Sequence, residues 1–280
     1  MTPAILRRSP AFALLFATTL LVLTPPARAQ ESPFLSHRTF QLLNGEVSGD
    51  AAFETIRFFT QFHRLGNSPG FTAAADYLQR KAEEYGLDDV LRLKQPVGSP
   101  AWSAQDGELW ITSPVLMKLA DQTDVQLMLA DYSRPADLEA ELVDVGEGTS
   151  DGDYEGIEVA GKVVFARGSP SAVVREAVFE RGAVGIVTTA LRSTGRPWDH
   201  PDQIPWQSVP RAAPEGTTAD GWFGFVLSAR RGDELEALLA GRAIPEEVAF
   251  TGADPSAPVR VRVLVRSSFD TVDMATEFIE

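Results

Sequence analysis

Three histidines and no cysteine leave this 280-residue chain few ways to hold a transition metal or to build a covalent nucleophile. His200-Pro201-Asp202 has the His-x-Asp spacing in which an imidazole and a carboxylate reach one zinc ion. It lies in a proline-rich stretch, not at the end of an apolar strand. No glycine-flanked aspartate or glutamate pair follows at a plausible distance, and a lone histidine cannot complete a zinc site. His63 closes an apolar helical stripe and reads as a packed or half-buried ring beside Arg64, while His37 carries no pattern. Asp151-Gly152-Asp153 with Glu155 offers oxygen ligands for calcium, but the closing glutamate of a calcium loop is missing and a solvated acidic turn is the simpler reading.

Serine chemistry has no G-x-S-x-G elbow to rest on, and Gly168-Ser169-Pro170 reads as a helix cap followed by the first helical residue. Gly66-Asn67-Ser68-Pro69-Gly70 lacks the lysine of a phosphate loop and reads as a turn. The chain therefore nominates no catalytic residue and no metal ligand. Its candidates for contact with a substrate are Trp198 and Trp206, on a stretch stiffened by Pro197, Pro201, Pro205, Pro210 and Pro214. Aromatic rings on such a loop suit a peptide or a neighbouring domain. Burial against their own domain is the equally simple alternative.

The elements that position these residues follow from periodicity. Residues 50–63 predict a helix capped by Asp50, with Ala52, Ile56, Phe59 and His63 on one stripe. A second helix is expected over 71–85, with Ala74, Leu78, Ala82 and Tyr85 on one face and Gly86 ending it in a left-handed turn. Strands are expected at Leu87 to Leu93 and through Leu109-Trp110-Ile111. From about Val125 the pattern becomes short apolar strands between glycine turns, at 141–145, 163–165 and 184–187. A compact helix carrying Val174, Ala177 and Val178 lies among them, and a last helix runs over 228–241 with Leu235, Leu238 and Leu239 inward. An alternating strand at Val259 to Val265 and an apolar stretch at Ala275 to Ile279 close the chain.

Composition bounds the rest. Arg7-Arg8, an apolar run from Ala11 to Leu23 and Ala27-Arg28-Ala29 predict an export signal over 1–29, cleaved before Gln30. The apolar run is too short for an easy membrane span, and no other stretch is longer, so no membrane partner is expected after cleavage. The formal charge of −14 becomes more negative once the leader's arginines are lost, which argues against nucleic acid and anionic membranes. An exported chain without cysteine has no disulfides to rely on and must be held by its core, by metal or by ligand.

Two passages resemble one family, the di-zinc aminopeptidases related to bacterial leucyl aminopeptidases and glutamate carboxypeptidase. Phe62-His63-Arg64-Leu65-Gly66-Asn67-Ser68-Pro69-Gly70, then Ala74-Ala75-Asp76-Tyr77-Leu78 and Tyr85-Gly86-Leu87, is similar to the opening helices of that peptidase domain. Glu141 to Thr149, Gly161-Lys162-Val163-Val164 and Arg181 to Val187 resemble the protease-associated domain often inserted after those helices, and Phe223 to Ser228 also fits. The order of parts spans nearly all of residues 50–280.

The resemblance implies an α/β plus α+β chain: the opening helices and strands of an open-sheet aminopeptidase domain, interrupted by a β-rich protease-associated domain. It implies a signal peptide at 1–29, an N-terminal peptidase segment at 30–125, the inserted domain at 126–250 and return strands at 251–280. In the family the metal ligands follow the inserted domain, beyond residue 280. No cofactor is then expected on this chain itself, although two zinc ions activating a shared water are implied for the complete enzyme. The expected function is the non-catalytic N-terminal portion of an exported, periplasmic or extracellular, aminopeptidase. Its inserted domain shapes substrate access, and its partner is a peptide or the absent catalytic domain. The alternative is a stand-alone secreted binding module without chemistry. If the chain is a part of a larger domain, Ile56, Phe59, Leu78 and Val263 should be partly uncovered.

Overall fold

The structure is a computed structural model that describes residues 35–98, 100–189, 198–217, 219–241, 254, 257–270 and 275–280. The expected leader at 1–29 lies outside the described residues, as do 190–197 of the proline-rich stretch and 242–253. The chain divides into two compact units, Met1–Phe58 and Phe59–Glu280. No helix among the described residues is long and apolar enough to cross a membrane.

The first unit holds α1 (His37–Glu46) and most of α2 (Gly49–Phe59). Each begins on a serine: Ser36 Oγ accepts from Thr39 N at 3.1 Å and Ser48 Oγ from Ala51 N at 3.2 Å. Such side-chain oxygens satisfy N–H groups that a first helical turn leaves unpaired. Ser48, not Asp50, therefore caps α2, and the helix stops at Phe59, short of the expected end at residue 63. The helix α1 has no counterpart in the sequence expectations. Neither helix buries a residue, and Phe40, Leu43, Phe53 and Ile56 are exposed.

The second unit opens with a turn and α3 (Pro69–Glu84), with Ser68 as cap and Pro69 in the first helical position. The face it buries carries Ala74 and Ala75, whereas Leu78 and Tyr85 are exposed. Gly86 ends the helix at φ +79, as its position predicts, and Asp89 at φ +56 prolongs the turn. The strand expected over 87–93 is consequently displaced to β1 (Arg92–Pro96). It forms only where a partner supplies hydrogen bonds, pairing Arg92 with Ile279 and Pro96 with Ala275.

A seven-stranded sheet dominates the rest. Its elements are β2 (Ala101–Ser113), β3 (Met117–Asp121), β4 (Ala136–Asp144), β5 (Val163–Ala166), β6 (Gly185–Thr188), β7 (Gly224–Val226) and β8 (Arg260–Asp270), with β9 (Ala275–Ile279) beyond it pairing only with β1. The order is β3-β2-β8-β4-β5-β6-β7, antiparallel from β3 to β4 and parallel from β4 to β7. Parallel strands are covered on both faces, which explains the unbroken buried runs of β5 and β6. In β8 the period is two: Val261, Val263 and Val265 are buried and their neighbours are not.

The helices of this body are α4 (Pro170–Val173), continued by the wider π turns of Val174–Phe179, and α5 (Ala229–Leu239). Val174, Ala177 and Val178 are buried, as are Leu235 and Leu238, on the faces their spacing predicts. Ser169 occupies the cap position of α4 without a side-chain cap bond. The core gathers Trp102, Leu109, Ile111, Phe165, Ile186, Phe225 and Val263, each at most 1 % exposed. Full burial of a side chain of this kind is worth about 1.5–3 kcal/mol. At Gly185 an added Cβ would fall 2.4 Å from the Phe223 ring, so only glycine lets β6 approach that ring.

The sheet crosses both domain boundaries expected near residues 125 and 250. β2 and β3 lie before the first and β8 after the second, yet they share one core with β4 to β7. The seven-stranded sheet runs from Ala101 to Asp270, and this stretch is called the body below; Val263 is covered because β8 is an interior strand between β2 and β4. Ile56 and Leu78 are exposed and Phe59 is half-buried, as expected.

Candidate functional site

A turn with an awkward backbone brings the first polar group into place. After α2 the chain bends through residues 60–68, and Ser68 Oγ donates to the His63 carbonyl at 3.2 Å while accepting from Phe71 N at 3.2 Å. Asn67 sits at φ +59, and a Cβ on Gly70 would stand 2.2 Å from the His63 carbonyl oxygen. Gly66 to Ser68 thus form the turn, Pro69 and Gly70 already belong to α3, and the segment presses residue 63 against the start of that helix. His63 therefore lies outside any helix, although it is half-buried as its apolar surroundings predict.

Asp131 meets it from 68 residues away. His63 Nε2 lies 2.7 Å from Asp131 Oδ1, and Trp206 Nε1 donates to Asp131 Oδ2 at 2.7 Å. The Asp131 side chain is 1 % exposed. Its backbone N–H donates to the Gln207 carbonyl at 3.0 Å and its own carbonyl accepts from Val209 N at 3.0 Å, which fixes the 206–209 stretch alongside. Trp102 sets its edge against the His63 ring at 5.3 Å and 80°, and donates Nε1–H to the Ser133 carbonyl at 2.9 Å. Tyr132 is held at φ +67, a conformation that a bulky residue keeps only where its surroundings enforce it. The Arg211 guanidinium reaches its hydroxyl and lies over its ring at 4.4 Å, and burial pushes the phenol's pKa up.

A carboxylate only accepts, so the ring hydrogen of His63 faces Asp131 on Nε2. The nitrogens are used the other way round from the serine-protease triad, in which the aspartate holds Nδ1–H and Nε2 is the base. Among the described residues no hydroxyl partners Nδ1, which is buried without a hydrogen bond, and the sequence has no cysteine. The cluster is a polar clamp joining three stretches of chain: residues 60–65, 129–133 and 206–209. Beside it lies a cavity of about 1000 Å³, walled by Phe62, Leu65, Val125, Leu127 and Trp206.

The two tryptophans part company. Trp206 keeps 43 % of its surface exposed while committing its N–H to Asp131, and Trp198 is 76 % exposed on a turn and does not line the cavity. His200-Pro201-Asp202 is brought to the start of α5. Asp202 receives Arg230 Nε at 2.8 Å and Nη2 at 3.2 Å, and the Pro201 carbonyl accepts from Arg230 N at 3.0 Å. The hydrogen bond from Arg230 holds the Asp202 carboxyl below its usual range.

Asp153 accepts from Thr149 N, Ser150 N and Ser150 Oγ at 2.8–3.0 Å and so caps the short helical turn it belongs to. Asp151 instead pairs with Arg181. These acids serve separate partners and do not converge on a cation. Among the described residues no group of three or more His, Asp or Glu is disposed to hold a metal ion.

No known protein-family model matches the chain, and no curated protein matches it. Among solved structures it is similar to an aminopeptidase from Aneurinibacillus sp. strain AM-1, with 19 % identity over 83 % of this chain and 46 % of that one and a TM-score of 0.43. It is also similar to a peptidase M28 precursor from Shewanella amazonensis SB2B, at 19 % identity, 86 % and 51 % coverage and a TM-score of 0.48. A third is BSAP, a zinc aminopeptidase from Bacillus subtilis, at 13 % identity, 81 % and 46 % coverage and a TM-score of 0.45. The chain spans about half the length of these structures.

Proposed function

We propose that residues 101–270 are a protease-associated domain inserted into the leading part of an exported zinc aminopeptidase, where it shapes the access of peptides to the rest of that enzyme. The observation that carries this reading is the neck of the body. The outermost pair of its sheet is Ala101 with Asp270, and a separate two-stranded ribbon continues from Pro96 with Ala275 to Arg92 with Ile279. Leu91 and Glu280 extend the ribbon, exchanging backbone hydrogen bonds of 2.8 and 2.9 Å. A domain whose chain leaves and returns side by side is what an insertion requires. The ribbon lies against α3, within the segment that resembles the opening of the peptidase domain.

The described residues do not fit a zinc pair: the His-x-Asp aspartate is engaged by Arg230, Asp153 by a cap and Asp151 by Arg181, and no group of three or more His, Asp or Glu converges. Hydrolysis, and the two zinc ions that supply its activated water, belong in this reading to the complete enzyme. Trp206 and Trp198 are then contacts for the peptide or for the catalytic part, and the leader at 1–29 directs export.

Limited proteolysis of the chain from residue 30, followed by mass spectrometry, tests the division. Early cleavage within residues 35–96 and a protected product spanning 101–270 are expected. Uniform protection from residue 35 to 280 would sink the insertion and favour a self-contained binding module.

A further inference from the structure

Acids outnumber lysines and arginines 39 to 25 in this chain, and several arginines are met by carboxylates: Arg92 by Asp76, Arg230 by Asp202, Arg260 by Glu139 and Arg262 by Asp137. Arg134 and Arg211 meet none among the described residues, although they adjoin: Arg134 Nη2 donates to the Arg211 carbonyl at 2.7 Å. We infer that these two guanidiniums form a binding site for a carboxylate carried by a peptide, which makes acidic peptides the ligands of the body.

Arg134 is built in as a fixed fork. Its backbone N–H donates to the Trp222 carbonyl at 2.7 Å, which joins the segment before β4 to the segment before β7. Its guanidinium stands 4.0 Å from the Phe269 ring and 5.0 Å from the Trp222 ring. Trp222 is itself held by Phe179, edge-on at 5.0 Å, and by its own N–H on the Pro210 carbonyl at 2.8 Å. A guanidinium set against rings in this way loses little freedom when it takes a ligand. Burial lowers its pKa, and no neighbouring carboxylate offsets that cost.

The donors it has left match a carboxylate. A guanidinium offers two edges of paired N–H groups, and each edge uses one of the two Nη2 hydrogens. The Arg211 carbonyl takes one of these, so the other edge stays whole and can hold both oxygens of a carboxylate. The buried side-chain atoms without a partner among the described residues are His63 Nδ1 and Gln126 Oε1, so the unbonded nitrogens of Arg134 reach solvent. Arg211 is exposed, and its guanidinium lies over the Tyr132 ring and donates to the Tyr132 hydroxyl. It places a second positive charge on the residue that Arg134 touches. Burial keeps the Tyr132 phenol protonated, so it supplies no counter-charge. Phosphate also suits a guanidinium fork; the choice of a peptide carboxylate rests on the peptidase reading above.

Titration calorimetry on the chain from residue 30 tests the site with four probes. These are Ac-Ala-Glu-Ala-NH2, Ac-Ala-Gln-Ala-NH2, Ac-Ala-Ala-Ala with a free C-terminal carboxylate, and inorganic phosphate. Saturable binding of the Glu peptide is expected, weakened by salt, with the Gln peptide at least about tenfold weaker for want of the charged acceptor. Whichever carboxylate peptide binds more tightly names the source of the group, side chain or chain end, and either supports the site. Arg134→Lys keeps the charge, removes the fork and should weaken the favoured peptide about tenfold. Arg211→Glu, at an exposed position, should abolish that binding with Tm nearly unchanged. Equal affinity for the Gln peptide, tighter binding of phosphate, absence of binding by both carboxylate peptides, or unchanged affinity in both variants would overturn the proposal. A failed titration with a protected 101–270 product leaves the insertion standing, and binding with uniform protection sinks the insertion alone.

Discussion

The body at 101–270 and the helices α1 and α2 use apolar residues in opposite ways. In the body Val261, Val263 and Val265 on β8 alternate into a shared core, and Phe225 and Leu235 have no exposed surface. In α1 and α2 the residues Phe40, Leu43, Phe53 and Ile56 repeat at helical spacing as regularly, yet none is buried. Local signals alone make these helices: a serine cap on each and good spacing. Helices of this length draw most of their stability in a protein from packing of an apolar face, so periodicity reports a face without reporting what covers it.

The contrast is broken or sharpened most directly by deleting one aromatic ring from each region. Phe225→Ala should cost about 3–5 kcal/mol, the range for emptying a core position. Phe53→Ala should stay within about 0.5 kcal/mol, as surface changes do. Urea unfolding followed by circular dichroism measures both, and comparable losses would refute the contrast.

The clamp comes next in size. Asp131→Ala strands the His63 ring hydrogen and the Trp206 N–H inside the protein, with an expected loss of about 2–4 kcal/mol. If the carboxylate joins the two, Asp131→Ala and Trp206→Phe should be non-additive by about 1 kcal/mol in a double-mutant cycle. Strict additivity would dissolve the clamp into independent contacts.

Asp121, at the end of β3, gives the body an acid limb. Burial alone would raise its pKa, but hydrogen bonds from Lys118 at 2.5 Å and from the Thr123 N–H and hydroxyl at 2.9 and 2.6 Å outweigh it and hold the carboxyl at about 2. A folded value below the unfolded 3.8 means that this stability is present above about pH 4 and is lost as pH falls toward 2. Asp121→Asn should therefore cost about 1–2 kcal/mol at neutral pH and flatten the pH dependence of Tm in that window. An unchanged acid limb would contradict the assignment.

The smallest effect concerns metal. Zinc at micromolar excess should leave Tm unchanged, and Asp202→Ala should change neither Tm nor that result, because Asp202 is a surface partner of Arg230. A zinc-dependent rise in Tm that Asp202→Ala removes would restore the His-x-Asp reading.

Much of this was legible in single residues. Gly86 and Gly182 end helices at positive φ, Ser68-Pro69 and Ser228 begin them, and the alternation of β8 and the buried faces of α4 and α5 lie where spacing places them. Each of these is a local preference that a few neighbouring residues decide. The displaced start of β1, the membership of β2, β3 and β8 in the body and the pairing of His63 with Asp131 were not legible. A strand's limits depend on a partner 187 residues away, as Arg92 depends on Ile279, and no local pattern names that partner. Asp131 is an unremarkable acid between Ala130 and Tyr132 until the fold removes its water and delivers His63 and Trp206 to its two oxygens. Sequence determined which faces are apolar and where the chain turns, because those are short-range steric and capping effects. Tertiary structure decided which polar groups meet, because burial is a property of the assembled fold.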